Sequence, residues 1–412
     1  MTIDFKSDTR PRQDDESLVE YYLYFRGNEI GPRSKRKYET AWDNLQRFLK
    51  QEGYTLPEIT KKKALEWCEF LRAQNIKERT AEYNVSAIRK MVDDLKQTPE
   101  VGEGNPFQEA LDTDPFSYDD STNKLEVPLN YLRRAIFNID HPVTLFVFVV
   151  LLKTGLRRSE LSNLDERGVN LDRPIAAALD TPRPEIRDKP NTIYIDSSIS
   201  EGDTVNGEKR KNGNKPESYR EIPLDEETVN LFEWYLGLAP TSKSPANPIV
   251  RVFGNGGHDV KIGDRLGTQG IYNRVVGIAE EHGWDVEGGV TPHWCRHWFT
   301  TQLRARINDD EVPIGSAKEY VQGLRGDSDD SVIDTYTHEW EIDDESKSYP
   351  EVYRDNIPTL LLDPHEDGEL TCPSCSREPP TVTFSTVGPA DGDGTDRMLC
   401  NTCARREYVS LD

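Results

Sequence analysis

The segment PVTLFVFVVLLKTGLRRSEL, residues 142–161, decides the fold because an apolar run ends there in a glycine and two arginines. The mainly apolar part, residues 142–152, has about half the ~20 residues that a membrane-spanning helix needs. It therefore predicts a helix that is buried in a protein core. Gly155 is expected to end this helix, and Arg157 then lies in the turn before the next helix begins.

Helical periodicity continues on both sides of this segment. Upstream, apolar residues recur three and four positions apart from Ser17 to Lys96 and predict a unit of four helices. Downstream, the same periodicity predicts further helices around two short strand-like stretches. In chain order these are helices 129–137 and 144–154, strands 192–195 and 220–222, and helices 226–236, 268–282, 293–307 and 317–324.

The pattern predicts a mainly α fold with a small β-sheet, divided into three domains. Residues 15–98 form a helical domain, and residues 126–362 form a mixed α+β domain. Residues 99–125, between them, are rich in Gly, Pro, Asn, Asp and Ser and predict a linker. Residues 370–412 form the third domain.

The charge balance limits the partners that the protein can have. The 412 residues include 51 Lys+Arg and 74 Asp+Glu, for a formal net charge of −23, whereas binders of nucleic acid or anionic lipid are usually basic. Residues 1–116 carry 19 basic and 22 acidic side chains, or −3, so that −20 lies downstream. The protein either repels polyanions or comes from a halophile, in which molar salt shortens the Debye length to about 3 Å. We favour the second explanation.

Four of the six cysteines lie close to the C-terminal end. Cys372 and Cys375 form one Cys-x-x-Cys pair, and Cys400 and Cys403 form another. Two such turns can close a tetrahedron of thiolates around Zn²⁺, and a unit of ~40 residues needs such a staple. We therefore expect a structural zinc ribbon, with redox motifs or disulfides as the alternatives. The polar N-terminus carries no export signal, so the cytoplasm is the expected compartment.

Three stretches carry side chains that can act on a phosphodiester. Besides Arg157 there are His293 and Arg296, which share one face of a predicted helix start, and Tyr336 further on. Each has an ordinary explanation on its own, as a capped helix junction, a helix terminus or a half-buried tyrosine. In this order within one helical domain, however, they resemble the tyrosine recombinases, the family of phage integrases and Xer-type enzymes.

The resemblance covers about residues 15–345 and implies two domains that clamp double-stranded DNA. The first is a helical core-binding domain of the SAM-like type, and the second is the catalytic domain. Family members work as tetramers on paired DNA sites, so the resemblance implies a homotetramer on DNA. It implies no metal or other cofactor for catalysis.

The resemblance assigns roles to individual residues of this sequence. Arg157 matches the first catalytic arginine, and Glu160 matches the acidic residue beside it. His293 and Arg296 match the His-x-x-Arg box. Tyr336 matches the nucleophile, which forms a 3′-phosphotyrosyl bond with the DNA.

The family also places a catalytic lysine in a β-hairpin before an Arg-x-x-Pro-Leu strand, which matches residues 220–224 here. Within the matching hairpin, residues 208–215, we choose Lys211 as the general acid and keep Lys215 as the alternative. One residue of the catalytic set departs from the family pattern. Asp327 stands where the family usually has histidine, and a carboxylate cannot donate a hydrogen bond to phosphate.

Basic side chains are placed where DNA is expected to lie. One group lies at a predicted helix start, where cations are unfavourable unless a phosphate is near; a solvated helix end is the alternative. A second group lies in and after the hairpin. The predicted DNA contacts are Arg33, Lys35, Arg36 and Lys37 in the first group, and Lys209, Lys215 and Arg220 in the second.

The sequence thus predicts a site-specific DNA recombinase or integrase that cuts and rejoins DNA. Two other functions stay open. A catalytically weak DNA-binding protein could retain the fold as a clamp, which Asp327 favours, or the zinc ribbon could make the chain a transcription-type regulator. The apolar segment 357–362 either holds copies of the chain together or packs onto its own domain.

Overall fold

The computed structural model divides the chain into two compact units, residues 1–122 and residues 123–412. Each unit is described by itself. Among the described residues, no helix combines the length and the apolar composition needed to cross a bilayer. The residues that the structure describes are 16–26, 32–95, 104–117, 124–215, 219–254, 261–312, 315–327, 347–361, 384–387 and 397–400.

The first unit is a helical bundle, and its first four helices confirm the predicted four-helix unit. Its core contains Trp67 and Leu45, both fully buried. The helices of its described part are α1 (Leu18–Arg26), α2 (Pro32–Glu52), α3 (Lys61–Ala73), α4 (Glu78–Leu95) and α5 (Pro106–Leu111).

Helix α5 lies inside the segment predicted to be a linker, so that prediction is wrong for these residues. The Asn105 side chain caps α5 by accepting from the backbone N–H groups of Phe107 and Gln108, each at 3.2 Å. Phe107 is buried, and its ring packs edge-on against Trp67 with 5.6 Å between centroids. Six residues are too few for a helical period to show in the sequence, although Asn105 followed by proline is a helix-start signal.

The second unit contains eight described α-helices and a small antiparallel sheet, which confirms the predicted mixture of elements. The helices are α6 (Leu129–Phe137), α7 (Pro142–Thr154), α8 (Arg158–Asn163), α9 (Glu226–Leu238), α10 (Thr268–Glu281), α11 (Pro292–Arg304), α12 (Ala317–Arg325) and α13 (Tyr349–Asn356). The strands are β1 (Val169–Asn170), β2 (Thr192–Ile195), β3 (Thr204–Val205), β4 (Glu208–Lys209), β5 (Arg220–Pro223), β6 (Phe384–Val387) and β7 (Arg397–Cys400).

Helix α7 is the centre of this unit, as the apolar run predicts. All of its residues except Thr144 are buried, and α9, α10 and α11 pack around it. It ends at Gly155, which has a left-handed φ of 61°. A helix that is apolar on every side must be surrounded by other elements, so α7 fixes where its neighbours lie.

A three-stranded sheet and a separate hairpin accompany these helices. Strand β2 pairs with both β1 and β5, and Ile195 lies opposite Arg220. Strands β3 and β4 form a separate hairpin. The turn between them, Asn206-Gly207, has positive φ at both residues, as a type I′ turn requires.

A buried ion cluster ties the end of α7 to the start of α9. Lys153 is fully buried, and its Nζ lies 2.6 Å from Asp225 Oδ2 and also pairs with Glu227. The Glu227 carboxylate in turn accepts hydrogen bonds from the backbone N–H groups of Leu360 and Leu361. The cluster therefore anchors the chain after α13 as well.

This anchoring decides between the two explanations for the segment 357–362. Leu360 is fully buried and Leu361 is 5% exposed, and both belong to the same core as α7. Ile357 is 6% exposed and packs with α13. The described part of the segment, through Leu361, therefore packs onto its own domain.

Gly155 is expected to be intolerant of a side chain. A Cβ there would lie 2.5 Å from the Phe299 ring, and left-handed backbone costs an L-residue about 1–2 kcal/mol by itself. We predict that Gly155→Ala lowers the free energy of unfolding by about 1–3 kcal/mol more than that, through overpacking. Urea unfolding of the full chain measures the loss.

Gly283→Ala is the matched control. Gly283 follows α10 with a φ of 68°, and a Cβ there would meet nothing within 4 Å. Gly283→Ala should therefore lower the free energy of unfolding only by the cost of placing alanine in left-handed backbone. Equal losses for the two variants would contradict the predicted clash with Phe299.

Candidate active site

Arg157 is held at the helix junction that the sequence predicts. It is the residue that precedes α8. Its backbone N–H donates to Glu160 Oε2 at 2.8 Å, and its Nη1 donates to Glu160 Oε1 at 2.6 Å. Glu160 therefore fixes both the backbone and the guanidinium of Arg157.

Glu160 also binds an arginine from the sheet. Glu160 and Arg220 are each 1% exposed, and Arg220 Nη2 lies 2.8 Å from Glu160 Oε2. Burial alone would raise the pKa of Glu160, but the charges of Arg220, Arg157 and Arg296 lower that pKa to about 2. The carboxylate is therefore ionised at neutral pH and neutralises the arginines around it.

Arg220 was predicted to contact DNA, and its position contradicts this prediction. Its side chain is buried, and its Nε donates to the Leu324 carbonyl at 2.6 Å while its other nitrogens face Glu160. The sequence shows a basic residue in a basic segment, but the pleat of β5 turns this position into the core. Arg220 instead joins β5 to the end of α12.

Arg296 and His293 lie one turn apart on α11. Arg296 is 3% exposed, and its Nη1 donates to the Gly155 carbonyl at 2.7 Å. His293 is exposed, yet partial desolvation and the nearby charges of Lys124 and Arg296 lower the pKa of its ring. Its imidazole is therefore predominantly neutral at pH 7 and can accept a proton.

The C-terminal end of α12 is the point where these arginines meet. Backbone carbonyls in the last turn of a helix have no partner within the helix and carry partial negative charge. Here three successive carbonyls each accept from a different arginine. The pairs are Leu324 with Arg220, Arg325 with Arg296, and Gly326 with Arg157.

Asp327 follows this helix end and lies where the guanidiniums converge. Its Oδ1 accepts from Arg157, and its Oδ2 lies 2.8 Å from the Nη2 atoms of both Arg296 and Arg325. Burial acts to raise its pKa, but the charges of Arg296, Arg325 and Arg157 hold the pKa of Asp327 below its usual value. The carboxylate therefore marks a position that stabilises an anion.

Of the two candidate lysines, the structure brings Lys215 to this position. Its Nζ lies 3.9 Å from Asp327 Oδ1. The loop before it is held by Asn214, whose side-chain oxygen accepts from Asn163 Nδ2 at 3.0 Å. Lys211 is exposed, and no ion pair connects it to Asp327 in the part of the chain that the structure describes.

The hairpin was predicted at residues 208–215, but the structure forms it from β3 and β4, residues 204–209, so that Lys211 and Lys215 lie in the loop after it. Buried charges fix the base of the observed hairpin. The Arg210 side chain is fully buried and pairs with Asp165, which also binds Arg265 Nη2 at 2.6 Å. Arg265 continues the network to Glu208 on β4. Lys209, the predicted DNA contact on β4, is exposed beside this network.

A cleft of about 330 Å³ opens beside the converging arginines. It brings together three of the predicted catalytic side chains and adds Arg158 and Tyr272, which were not predicted. The Arg158 guanidinium lies over the Tyr272 ring, 5.6 Å from its centroid. The lining residues are Arg157, Arg158, Tyr272, Thr291, Pro292, His293 and Arg296.

The first unit has its own basic groove, of about 740 Å³. The predicted DNA contacts from Arg33 to Lys37 occupy the first turns of α2, and Arg36 and Lys37 line the groove. Helix α4 contributes further lining residues that the sequence did not single out. These are Thr80, Tyr83, Asn84, Ser86, Ala87, Arg89 and Lys90.

Several predicted site residues lie outside the described part of the chain. They are Tyr336, Cys372, Cys375 and Cys403; the Arg33 and Cys400 side chains are also outside it. Among the described residues, no cluster of His, Cys, Asp or Glu could hold a metal ion.

Comparison with known proteins supports this architecture. Residues 17–106 match the profile of the phage integrase SAM-like domain. The Tn1549 transposon integrase, in complex with transposon right end DNA, matches with a TM-score of 0.55 at 18% identity. That match covers 80% of this chain and 95% of the other. A search of curated proteins finds no significant match.

A lambda integrase fragment, a dimer bound to a COC′ core site, also matches. The TM-score is 0.50 at 13% identity, covering 80% of this chain and 98% of the other. This chain has the integrase fold. The fold prediction from the resemblance to tyrosine recombinases is therefore confirmed for the helical N-terminal domain and for the mixed domain.

Besides Arg158 and Tyr272, two further site residues escaped the sequence analysis. Arg325 ends α12 and pairs with Asp327, and Lys124 lies near enough to lower the pKa of His293. An arginine in the last turn of a helix usually only complements the helix dipole, so the sequence gives little signal for Arg325. Lys124 lies in the segment that was predicted to be a linker.

Replacing Glu160 tests whether its carboxylate holds the site together. We predict that Glu160→Gln lowers the free energy of unfolding by about 3–5 kcal/mol at pH 7, because it leaves the buried Arg220 guanidinium without its counter-charge. The folded-state pKa lies below the unfolded-state value, so this contribution is complete above about pH 4.5 and is lost as the pH falls toward 2. Urea unfolding at several pH values measures it.

The difference between wild type and Glu160→Gln should therefore shrink on acidification. Glu280→Gln is the control, since Glu280 is an exposed carboxylate on α10. It should follow the wild type throughout. A difference that stays constant down to about pH 3 would show that the carboxylate charge of Glu160 does not supply the stability.

Proposed function

We propose that the protein is a site-specific DNA recombinase that cuts and rejoins DNA through a 3′-phosphotyrosyl intermediate. The observation that carries the proposal is the convergence of Arg157 and Arg296 on one anion position, beside a cleft that His293 lines. Two guanidiniums match the non-bridging oxygens of a phosphodiester and stabilise the charge that develops during attack. The integrase fold agrees with this use.

In the proposed reaction, the Tyr336 oxygen attacks the scissile phosphorus and displaces the 5′-oxygen. His293, largely neutral, accepts the proton from the tyrosine or holds the phosphate. A lysine gives its proton to the departing 5′-oxygen. The phosphotyrosyl bond conserves the energy of the broken bond, so religation by the reverse attack needs neither ATP nor metal.

Asp327 gives the second candidate function its support. A carboxylate that fills the anion position competes with DNA phosphate and would weaken catalysis. The protein would then be a DNA clamp that retains the recombinase fold. The two functions differ in whether a covalent bond to DNA forms.

Covalent trapping distinguishes them. The full chain is incubated at molar KCl with nicked suicide duplexes from its host replicon, and the products are separated on a denaturing gel. We predict an adduct that Tyr336→Phe abolishes and that Arg296→Gln slows by ~10²–10³. Tyr131→Phe, at an exposed tyrosine on α6, should form the adduct at the wild-type rate. DNA binding without any adduct would favour the clamp.

The general acid can be identified with a modified substrate. We propose Lys215 rather than Lys211, because of its 3.9 Å distance from Asp327. Lys215→Ala should slow cleavage of normal DNA by ~10²–10⁴. It should cleave DNA with sulfur as the 5′-bridging atom at nearly the wild-type rate, since a thiolate leaves without a proton. If Lys211→Ala shows this pattern instead, the first choice from the sequence is right.

We also propose that Cys372, Cys375, Cys400 and Cys403 hold a structural Zn²⁺. The support is the hairpin of β6 and β7, in which Cys400 ends β7 opposite Phe384, so that one Cys-x-x-Cys pair begins where a strand ends. Four thiolates suit zinc and leave no open position for catalysis. Metal analysis of the purified chain should give one zinc, lost in Cys400→Ser and kept in Cys68→Ala. A chain that folds with no zinc would exclude the site.

The proposed partner is double-stranded DNA, bound by four copies of the chain on two paired sites. The basic groove of the first unit, with Arg36 and Lys37, supports a phosphate contact there. An acidic total charge is compatible with this binding in a halophile, because molar salt screens repulsion beyond about 3 Å. Light scattering of the DNA complex at molar KCl gives the number of copies; a mass of one chain per duplex would exclude the tetramer.

A further inference from the structure

The cationic site contains an arginine that the proposed mechanism does not use. Arg325 Nη2 lies 2.8 Å from Asp327 Oδ2, the same oxygen that Arg296 Nη2 approaches at 2.8 Å. Arg157 binds the other oxygen, and Lys215 Nζ lies 3.9 Å from it. Both oxygens of one carboxylate are thus surrounded by cations from four different segments of the chain.

This arrangement has the geometry of a phosphate site. A carboxylate presents two oxygens in a plane, and guanidiniums bind these much as they bind two non-bridging phosphate oxygens. The Asp327 carboxylate therefore marks the place where a phosphodiester fits. Arg325 reaches that place directly through its Nη2 atom.

The charges favour an added anion. Among the described residues, five cationic side chains meet here with only two carboxylates. They are Arg157, Lys215, Arg220, Arg296 and Arg325, with Glu160 and Asp327. Burial lowers the pKa of Arg325, the charge of Asp327 raises it, and the charges of Arg157 and Arg220 lower it further, as expected for cations that repel one another.

Arg325 also retains an unused donor. Its Nε is buried without a hydrogen-bond partner among the described residues. A buried donor without a partner costs free energy, and an anion with more oxygens than a carboxylate could satisfy it. The side chain is 23% exposed, so a ligand in the cleft can reach it.

The position of Asp327 lets its side chain move while α12 stays intact. It lies beyond the last residue of α12, and its backbone N–H is held by the Gln322 carbonyl at 3.2 Å. Rotation about χ1 would move its carboxylate out, and the incoming phosphate would replace the ion pairs with Arg157, Arg296 and Arg325 that the rotation breaks. Arg157 keeps its contacts with Glu160 and the Gly326 carbonyl, and Arg296 keeps the carbonyls of Gly155 and Arg325. Arg325 exchanges its ion pair with Asp327 for the phosphate.

We propose that Arg325 is a third phosphate-binding arginine of this site and that the Asp327 carboxylate occupies the phosphate position until DNA displaces it. The inference rests on the proposed function for the identity of its ligand, a DNA phosphodiester. It adds a catalytic residue and explains why an aspartate can replace a histidine here. In the free protein the carboxylate keeps the arginines converged; in the complex the phosphate does so.

Inorganic phosphate is the probe, since its binding requires neither a DNA sequence nor Tyr336. Calorimetric titration of the full chain is done at the lowest KCl concentration at which the chain stays folded, with Arg296→Gln defining the signal from other basic surfaces. Asp327→Asn should bind phosphate about 10- to 100-fold more tightly than wild type, because the competing charge is gone. Arg325→Gln should bind it more weakly by a similar factor.

Arg304→Gln, at an exposed arginine on α11, is the matched control and should bind phosphate like the wild type. Asp327→Ser repeats the test if Asp327→Asn unfolds, as judged by urea unfolding. Unchanged or weaker binding in the Asp327 variants would overturn the proposed displacement. Unchanged binding in Arg325→Gln would make Arg325 only a partner of Asp327.

Phosphate titration and covalent trapping test the two proposals separately. Tighter phosphate binding by Asp327→Asn without any DNA adduct would retain the phosphate site and reject the recombinase. An adduct together with unchanged phosphate binding would retain the recombinase and reject this inference. In the variant series, Arg325→Gln should also slow adduct formation by ~10²–10³, as loss of a preorganised donor does.

Discussion

The ionised carboxylate of Glu160 is the group on which the packing of the second unit depends. It is buried, yet it binds Arg157 from the start of α8 and Arg220 from β5. Arg220 then reaches the end of α12, where Arg296 from α11 also binds. A single buried charge thus connects three helices and the sheet, and the site arginines stay close together because its negative charge offsets part of their repulsion.

The parts of the structure that sequence could predict are those with a strong local signal. The apolar run of α7 and the glycine after it gave the central helix and the position of Arg157, because burial on every side leaves no other solution. The helical periods predicted the bounds of α10 and α12, each with a difference of one residue at the C-terminal end. The short helix α5 was missed, since six residues do not show a period.

The site was less predictable because charge in a sequence does not report burial. Arg220 and Lys215 belong to one basic segment, yet one lies in the core and the other has a largely exposed side chain. Strand pleating and the loop held by Asn214 make this difference, and both depend on residues distant in sequence. Arg325 shows the same limit, since only the tertiary fold brings Arg157 and Arg296 to the carboxylate two residues after it.

The hydrogen bonds from Leu360 and Leu361 to Glu227 limit how far the C-terminal residues can lie from the second unit. Leu361 is held at a fixed point of the second unit, and ten residues lie between it and Cys372, so that eleven Cα–Cα steps join the two. Fully extended, they span at most ~40 Å. The first cysteine of the proposed zinc ribbon therefore lies within that distance of Leu361. Any molecule that the ribbon binds is brought to the neighbourhood of the site at high effective concentration.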